Sequence, residues 1–299
     1  MNENVKFSGV MSALVSCIDD QGNVKEDSMK RLMNWHMDAG LGGFYLCGGT
    51  GEGPVLQMET RMRIAEVAKE TARPGTKLIA HVGAIDLTTA KKLARHAGEI
   101  GMDAISSVPP FFFHYGEKEI ADYYRALADA SGLPVLMYAS PLSGVNITWD
   151  MVDRLMDIPS MIGLKWTSYD YFTMHRIKSL RGGNINVING PDECLLCGLT
   201  MGADGGIGAT YNVMPKLFAE IYCSYQDGDM ETARAAQFKA NKLIEILLKF
   251  GVVCGIKDML GMIGYDCGEQ VYPQKRFTEE ERAAFRAALK AIRYEEEYL

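Results

Sequence analysis

The chain has 299 residues, of which 47% are hydrophobic and 23% are charged, and its formal net charge is −7. This composition suits one large globular enzyme domain, or one domain with an extension, and no apolar run approaches the ~20 residues that a membrane span requires. The negative charge argues against a nucleic-acid partner, because binding to phosphates needs a basic surface.

Short apolar segments alternate with segments of helical periodicity from the N-terminus to about residue 225. The predicted strands are Val10–Ser16, Gly43–Cys47, Lys77–Val82, Ala104–Val108, Pro134–Tyr138, Met161–Trp166, Asn186–Asn189 and Gly205–Ala209. The predicted helices are Glu26–Ala39, Glu59–Thr71, Leu87–Ile100, Glu117–Ala130, Thr148–Met156, Asp170–Leu180, Glu193–Met201 and Val213–Tyr225. Strands that alternate with helices pair in parallel through right-handed crossovers. Eight such units predict a closed (β/α)8 barrel in preference to an open sheet.

From about Asp227 the pattern changes to long helices, Glu231–Phe250 and Thr278–Tyr294, without a convincing strand. We therefore predict a catalytic barrel over residues 1–226 and a helical extension over residues 227–299. The extension is interpreted either as an oligomer contact or as a cover for one face of the barrel.

The N-terminal residues 1–6 lack the basic and then apolar form of a signal peptide, so we expect a cytoplasmic protein that does not associate with a membrane. The seven cysteines are scattered through apolar segments, which is typical of buried free thiols. Cys194 and Cys197 form a C-x-x-C motif, but no second pair stands at the spacing of a zinc site. The histidines form no H-x-x-x-H cluster either, so we predict no metal site.

Lys165 lies in the sixth predicted strand, within an apolar segment too short for a helix. Lysines are almost never fully buried without a reason, because an ammonium group removed from water is costly or gives up its proton. An amine without that proton is a nucleophile towards carbonyl carbon. The alternatives are a lysine that reaches solvent from the strand end and a lysine paired with a carboxylate.

Other polar groups follow the predicted strands at the carboxyl end of the barrel, where active sites of this fold lie. The glycine-rich loop after strand two contains Gly49 and Thr50, and its backbone amides are suited to a small anion, although a tight turn is the alternative. Tyr138 ends strand five, where its hydroxyl is suited to relaying a proton; the alternative is that its ring only packs against neighbouring side chains. The remaining candidates follow strands six to eight: Thr167, Gly190, Asp192, Glu193, Ile207 and Ala209.

Asp192 and Glu193 have a second interpretation, as the N-cap and first-turn acid of the following helix. Considered together, however, the lysine, the phenol, the glycine loop and the polar groups converge on one end of the barrel. They are suited to forming an imine with a 2-oxo acid whose carboxylate the loop holds.

The same residues resemble the pyruvate-dependent class I lyases, the family that includes N-acetylneuraminate lyase and dihydrodipicolinate synthase. The resemblance rests on the loop Gly48–Glu52, on Tyr138 with Pro141, and on Lys165 within Gly163-Leu164-Lys165. It implies that Lys165 condenses with pyruvate, that Tyr138 relays protons, and that Gly49 and Thr50 hold the carboxylate. It further implies no metal or organic cofactor, since the lysine imine is the electron sink, and it suggests a homotetramer.

Several segments are similar to the N-acetylneuraminate lyase branch of the family, among them Lys165–Asp170, Asn189–Glu193 and Gly202–Gly208. This similarity implies that Thr167, Gly190, Asp192 and Glu193 bind the hydroxyl-rich tail of a sugar acid, since a carboxylate accepts hydrogen bonds from two hydroxyls. The chain departs from the family at three positions, where Gly49, Phe112 and Ala209 replace residues with hydroxyl groups.

The predicted activity is cleavage of a 2-oxo sugar acid into pyruvate and an aldehyde, or the reverse condensation of these two compounds. Alternatives within the family are a dihydrodipicolinate synthase and a 2-keto-3-deoxy-sugar-acid aldolase or dehydratase. The synthase uses an arginine shortly after the catalytic tyrosine for a second carboxylate, but this chain has none between Arg125 and Arg154. Outside the enzymes, the alternative is a protein that binds 2-oxo acids without turnover.

Overall fold

Eight parallel strands form a closed barrel in which each strand pairs with the next and β8 pairs with β1. The computed structural model describes residues 6–299, except for the side chain of Leu142. Residues 1–5, on which the expectation of no signal peptide mainly rested, lie outside the described part. The strands are β1 Gly9–Ala13, β2 Gly43–Leu46, β3 Lys77–His81, β4 Ala104–Ser107, β5 Val135–Ala139, β6 Met161–Trp166, β7 Asn186–Asn189 and β8 Gly205–Gly208. The predicted (β/α)8 barrel is therefore confirmed. Seven strands begin and end within one residue of their predicted bounds, and β1 ends three residues earlier than predicted.

A helix follows each strand, and four more complete the chain. The helices are α1 Glu26–Asp38, α2 Met58–Thr71, α3 Leu87–Glu99, α4 Glu117–Ser131, α5 Trp149–Leu155, α6 Tyr171–Ser179, α7 Leu195–Thr200, α8 Pro215–Gln226, α9 Met230–Phe250, α10 Val252–Met262, α11 Glu279–Ala291 and α12 Tyr294–Glu297. None of the helices within residues 6–299 is both long and apolar enough to span a bilayer.

The predicted helical extension is present, but its helices differ from the prediction. The sequence pattern did not indicate α10, whose core contains Gly255 and Gly261 and which follows Gly251. The last predicted helix, Thr278–Tyr294, corresponds to α11, which ends three residues earlier at Ala291. Arg293 then adopts a left-handed backbone conformation (φ 54°) that separates α11 from the short helix α12. Helix α9 of the extension packs on α8 of the barrel, and α10 contacts both α9 and the turn that follows β8.

The register between β5 and β6 decides which residues of β6 face the barrel interior. A one-residue bulge in β6 opposite Val135 and Leu136 places Lys165 beside Tyr138. Leu164 and Trp166 therefore pack into the apolar layer between the barrel and the helices, while Lys165 turns inwards.

The prediction of seven buried free thiols is wrong for several cysteines. Cys17, after β1, and Cys267, after α10, are joined in a disulfide across a sequence separation of 250 residues. Cys197 and Cys223 are exposed thiols on helices. Sequence could not indicate this pairing, because only the packing of the extension against the segment after β1 brings the two cysteines together.

Candidate active site

Lys165 is buried at the carboxyl end of β6, with 6% of its surface exposed. Its Nζ lies 4.8 Å from the centre of the Tyr138 ring and 5.0 Å from the centre of the Tyr45 ring. Within residues 6–299 no carboxylate forms an ion pair with this amine. Of the three interpretations of Lys165, the structure thus excludes a lysine extended into solvent and a lysine paired with an acid. Both aromatic rings therefore lie within cation–π distance of the Lys165 amine.

Tyr45, on β2, forms the floor below Lys165 and was not identified from the sequence. It is fully buried, and its hydroxyl donates a hydrogen bond of 2.9 Å to Ser106 Oγ on β4. Burial, with a contribution from nearby Tyr138, raises the pKa of the Tyr45 phenol well above its usual range. Tyr45 therefore stays neutral, and its ring supports the amine without supplying a charge.

His81, at the end of β3, completes the aromatic surroundings of Tyr138. Its ring centre lies 6.1 Å from that of Tyr138, with the two rings nearly perpendicular. Burial, followed by the charge of the Arg61 guanidinium, lowers the pKa of His81 to about 3, so the imidazole is neutral at physiological pH. Arg61 is itself buried and donates hydrogen bonds to the carbonyl oxygens of His81 (2.7 Å) and Gly83 (3.0 Å).

The glycine-rich loop after β2 is a closed turn next to Tyr45. The Glu52 amide donates to Gly49 O (3.0 Å), and the Gly53 amide donates to Gly48 O (3.1 Å). Gly49 is exposed and Thr50 is half-buried. Among the described residues, neither the amides of Gly49, Thr50 and Gly51 nor the Thr50 hydroxyl donate a hydrogen bond within the protein. These donors are available to an anion, as expected for a carboxylate-binding loop.

Thr167 and Gly190 meet where β6 and β7 end. The Thr167 hydroxyl is buried and has no hydrogen-bond partner within residues 6–299. A methyl group at Gly190 would overlap that hydroxyl and would lie 2.8 Å from the carbonyl oxygen of Trp166, so a side chain here would have to displace the Thr167 hydroxyl. A cleft of about 230 Å³ opens beside Thr167, between the segments that follow β5 and β6.

Asp192 is buried (6% exposed) and is held by the segment after β8. Its Oδ2 accepts hydrogen bonds from the amide (2.7 Å) and the hydroxyl (2.8 Å) of Thr210. Its Oδ1 faces Gly208, where any side chain would overlap the carboxylate, and forms no hydrogen bond to a described residue. Burial raises the pKa of Asp192 to about 6, although Thr210 and the charge of Lys165 oppose this shift.

Glu193 is half-buried, and its Oε1 accepts a hydrogen bond from the hydroxyl of Tyr169, an exposed residue of the segment after β6. This hydrogen bond raises the pKa of Tyr169 to about 12. Neither Asp192 nor Glu193 caps a helix through its side chain. The interpretation of the two acids as an N-cap and its first-turn companion is therefore wrong for Asp192, whose carboxylate instead binds Thr210 in the segment after β8.

The structure places the two candidates of strand eight differently. Ile207 is fully buried in the apolar cluster inside the barrel, together with Met11 and Tyr45. Ala209 is half-buried at the carboxyl end of β8, and its carbonyl oxygen accepts a hydrogen bond of 2.7 Å from the Asn212 side chain. Ala209 thus faces the same end of the barrel as Lys165, and Ile207 belongs to its packed interior.

The active-site residues that were not identified from the sequence are polar residues inside otherwise apolar strands. Strands of a parallel barrel are buried on both faces and read as continuous apolar runs. Polar side chains inside such runs are therefore conspicuous, and Tyr45, His81 and Ser106 are three of them. Residues 6–299 contain no cluster of three or more histidine, cysteine, aspartate or glutamate side chains that could hold a metal ion.

Comparison with known proteins identifies the family. The model of the dihydrodipicolinate synthetase family matches residues 6–292. The N-acetylneuraminate lyase of Escherichia coli is 39% identical over 254 residues, which is 84% of this chain and 85% of that protein.

Solved structures of relatives superimpose over nearly the full length. The N-acetylneuraminate lyase of Proteus mirabilis has a TM-score of 0.91 at 28% identity and covers 97% of this chain and 100% of its own. A catalytic lysine mutant of the sialic acid aldolase of Ruminococcus gnavus has a TM-score of 0.92 at 29% identity and covers 100% of both chains.

Proposed function

This chain belongs to the dihydrodipicolinate synthetase family, and on that premise we propose that it is a class I lyase that cleaves N-acetylneuraminate or a similar 2-oxo sugar acid into pyruvate and an aldehyde. The observation that carries the proposal is the buried Lys165 amine, which lies over two phenol rings and forms no ion pair with a carboxylate of residues 6–299. Such an amine is suited to covalent catalysis through an imine.

In the proposed first step, the neutral amine of Lys165 attacks C2 of the 2-oxo acid. The carboxylate of the substrate is held by the Thr50 hydroxyl and by the free amides of the loop after β2. Tyr138, the neighbour of Lys165 in the sheet register, donates its proton to the departing C2 hydroxyl, which leaves as water. The products of this step are a protonated imine and the Tyr138 phenolate.

In the second step, the phenolate takes the proton of the C4 hydroxyl and the C3–C4 bond breaks. The electron pair of that bond moves into the imine and forms an enamine, while C4 becomes the carbonyl carbon of the departing aldehyde. Protonation of the enamine at C3 and hydrolysis of the imine release pyruvate and regenerate the Lys165 amine. Every proton transfer is thus assigned to Tyr138 or to water, with the protonated imine as the electron sink.

Substrate selection is assigned to the segments after β6 and β7. The unpartnered Thr167 hydroxyl, the free Oδ1 of Asp192 and the carboxylate of Glu193 are suited to the hydroxyl groups of a sugar acid tail. Dihydrodipicolinate synthesis is the weaker candidate, because no arginine between Arg125 and Arg154 is present to bind the second carboxylate of its substrate.

We also propose that the enzyme is a homotetramer in which the segment after β4 contacts another subunit. Phe112 and Phe113 are 83% and 66% exposed, and their rings meet edge to face with centres 5.0 Å apart. Large exposed aromatic side chains of this kind are typical of protein interfaces. Light scattering should show a tetramer for the wild type and smaller species for Phe112→Ser with Phe113→Ser; a monomeric wild type would contradict the proposal.

The test of the lyase mechanism is reduction with borohydride in the presence and absence of pyruvate, followed by peptide mass spectrometry. We expect a pyruvate-dependent adduct on the peptide that contains Lys165, and no adduct in Lys165→Met. Release of pyruvate from N-acetylneuraminate then identifies the substrate, whereas an adduct without cleavage of any sugar acid would support a 2-oxo-acid-binding protein. A folded wild type that forms no adduct would refute the mechanism.

A further inference from the structure

We propose that Lys257, on helix α10 of the C-terminal extension, is a positioning residue for the carboxylate-binding loop and acts through its ion pair with Glu52. The proposal rests on the proposed function, since it concerns the loop that binds the carboxylate of the 2-oxo acid. It gives the extension a role at the active site, in place of a mere cover for the barrel.

The ion pair is sealed from solvent. The side chain of Glu52 is fully buried and that of Lys257 is 2% exposed, with Nζ 3.3 Å from Oε2. The same Oε2 accepts a hydrogen bond of 3.3 Å from the Val271 amide, and Lys257 Nζ also donates to the Glu269 carbonyl oxygen (2.9 Å). Glu52 is therefore fixed by two groups of the extension, which lie more than 200 residues away in the chain.

The backbone at Glu52 explains why such an anchor is needed. Glu52 adopts a left-handed backbone conformation (φ 56°). This conformation is unfavourable for a residue that has a side chain, whereas glycine adopts it freely. This conformation closes the turn through the hydrogen bond from its amide to Gly49 O. Strained backbone persists only where its surroundings hold it, and it is concentrated at functional sites.

The consequence for the substrate follows from the position of Glu52 in the chain. Glu52 is two residues after Thr50, and its amide bonds the carbonyl of Gly49, so a change of conformation at Glu52 moves both proposed carboxylate donors. Because its side chain is fully buried, Glu52 cannot itself contact the substrate. The ion pair thus acts through the loop. Its loss should weaken the binding of pyruvate but slow the chemical step only slightly.

The experiment measures how borohydride trapping on Lys165 depends on pyruvate concentration in the full-length protein. In Lys257→Met and Glu52→Gln, half-maximal trapping should need at least about tenfold more pyruvate, because each change leaves a buried charge without its partner. Lys257→Arg should restore most of the affinity. With sugar acid as substrate, KM should rise while kcat stays within about threefold, the pattern of lost uniform binding.

A matched control separates positioning from general stability. Lys178 forms an ion pair with Asp204 (2.7 Å) at the opposite end of the barrel, with side chains 17% and 21% exposed. Lys178→Met should lower the melting temperature without changing the pyruvate dependence. The double variant, Glu52→Gln with Lys257→Met, removes both buried charges and should regain stability while its pyruvate affinity stays low.

Three outcomes would overturn the proposal: unchanged pyruvate dependence in both single variants, an equal change in Lys178→Met, or failure of the single and double variants alike to fold. The last outcome would assign the pair to the barrel as a whole instead of to the loop. Absence of any adduct in the wild type would instead refute the lyase mechanism, so the two failures are distinguishable.

Discussion

Replacing Asp192 by asparagine should make the protein more stable at neutral pH. The pKa of Asp192 rises from 3.8 to about 6 because its carboxylate is buried. The folded protein therefore binds this proton more tightly than the unfolded chain does. The stabilisation from the group is fully present below pH 3.8 and is lost as the pH rises through about 6.

The magnitude follows from the same two pKa values. At about 1.4 kcal/mol for each tenfold change in proton affinity, the difference corresponds to about 3 kcal/mol. Asparagine has no charge to lose, and its amide oxygen can still accept the two hydrogen bonds from Thr210 that Oδ2 accepts in the wild type. The unfolding free energy of Asp192→Asn, relative to that of the wild type, should therefore rise by up to about 3 kcal/mol as the pH increases from about 4 to about 7.5.

The assay is urea unfolding of both proteins in identical buffers across this pH range. The difference in unfolding free energy between the variant and the wild type isolates Asp192, because all other titrating groups are common to both. A difference that is independent of pH, or that shrinks as the pH rises, would refute the argument. The variant should also bind the sugar acid more weakly while keeping its pyruvate adduct, since the carboxylate is assigned to the substrate tail.

Three further changes test other parts of the site. Tyr138→Phe should slow cleavage by roughly two to four orders of magnitude, measured as pyruvate release, and full activity would exclude Tyr138 as the proton relay. Gly190→Ala should displace the Thr167 hydroxyl and raise KM for the sugar acid without reducing pyruvate trapping; an unchanged KM would remove Thr167 from the substrate site. Arg61→Met leaves two buried carbonyl groups without donors and should cost at least about 2 kcal/mol in urea unfolding, and no loss would show that these hydrogen bonds are dispensable.

The sequence by itself determined the barrel and the position of the buried lysine. The alternation of short apolar runs with helical segments is a local pattern, set by side-chain periodicity and by the residues that end each element. It located all eight strands, seven of them within one residue at both ends and β1 within three. A lysine inside one of these runs was conspicuous because the free energy of burying a charge leaves few explanations, and the structure confirms that Lys165 is buried.

Local patterns were insufficient where a group depends on distant parts of the chain. The missed helix α10 follows Gly251 and contains two more glycines, which weaken the helical pattern although packing against α9 stabilises the helix. Asp192 had the local appearance of a helix cap, but the closure of the barrel brings Thr210 close enough to bind its carboxylate.

Only the tertiary structure decided what surrounds the lysine and the loop. Strict alternation in β6 would place Ile162 and Lys165 on opposite faces, and a single bulge opposite β5 brings both into the interior. Tyr45 supports the lysine because β2 and β6 face each other across the closed barrel. Glu52 meets Lys257 because the extension folds back over the loop. The sequence specifies each element through interactions within a few residues, whereas these contacts exist only once barrel closure and helix packing join segments that are far apart in the chain.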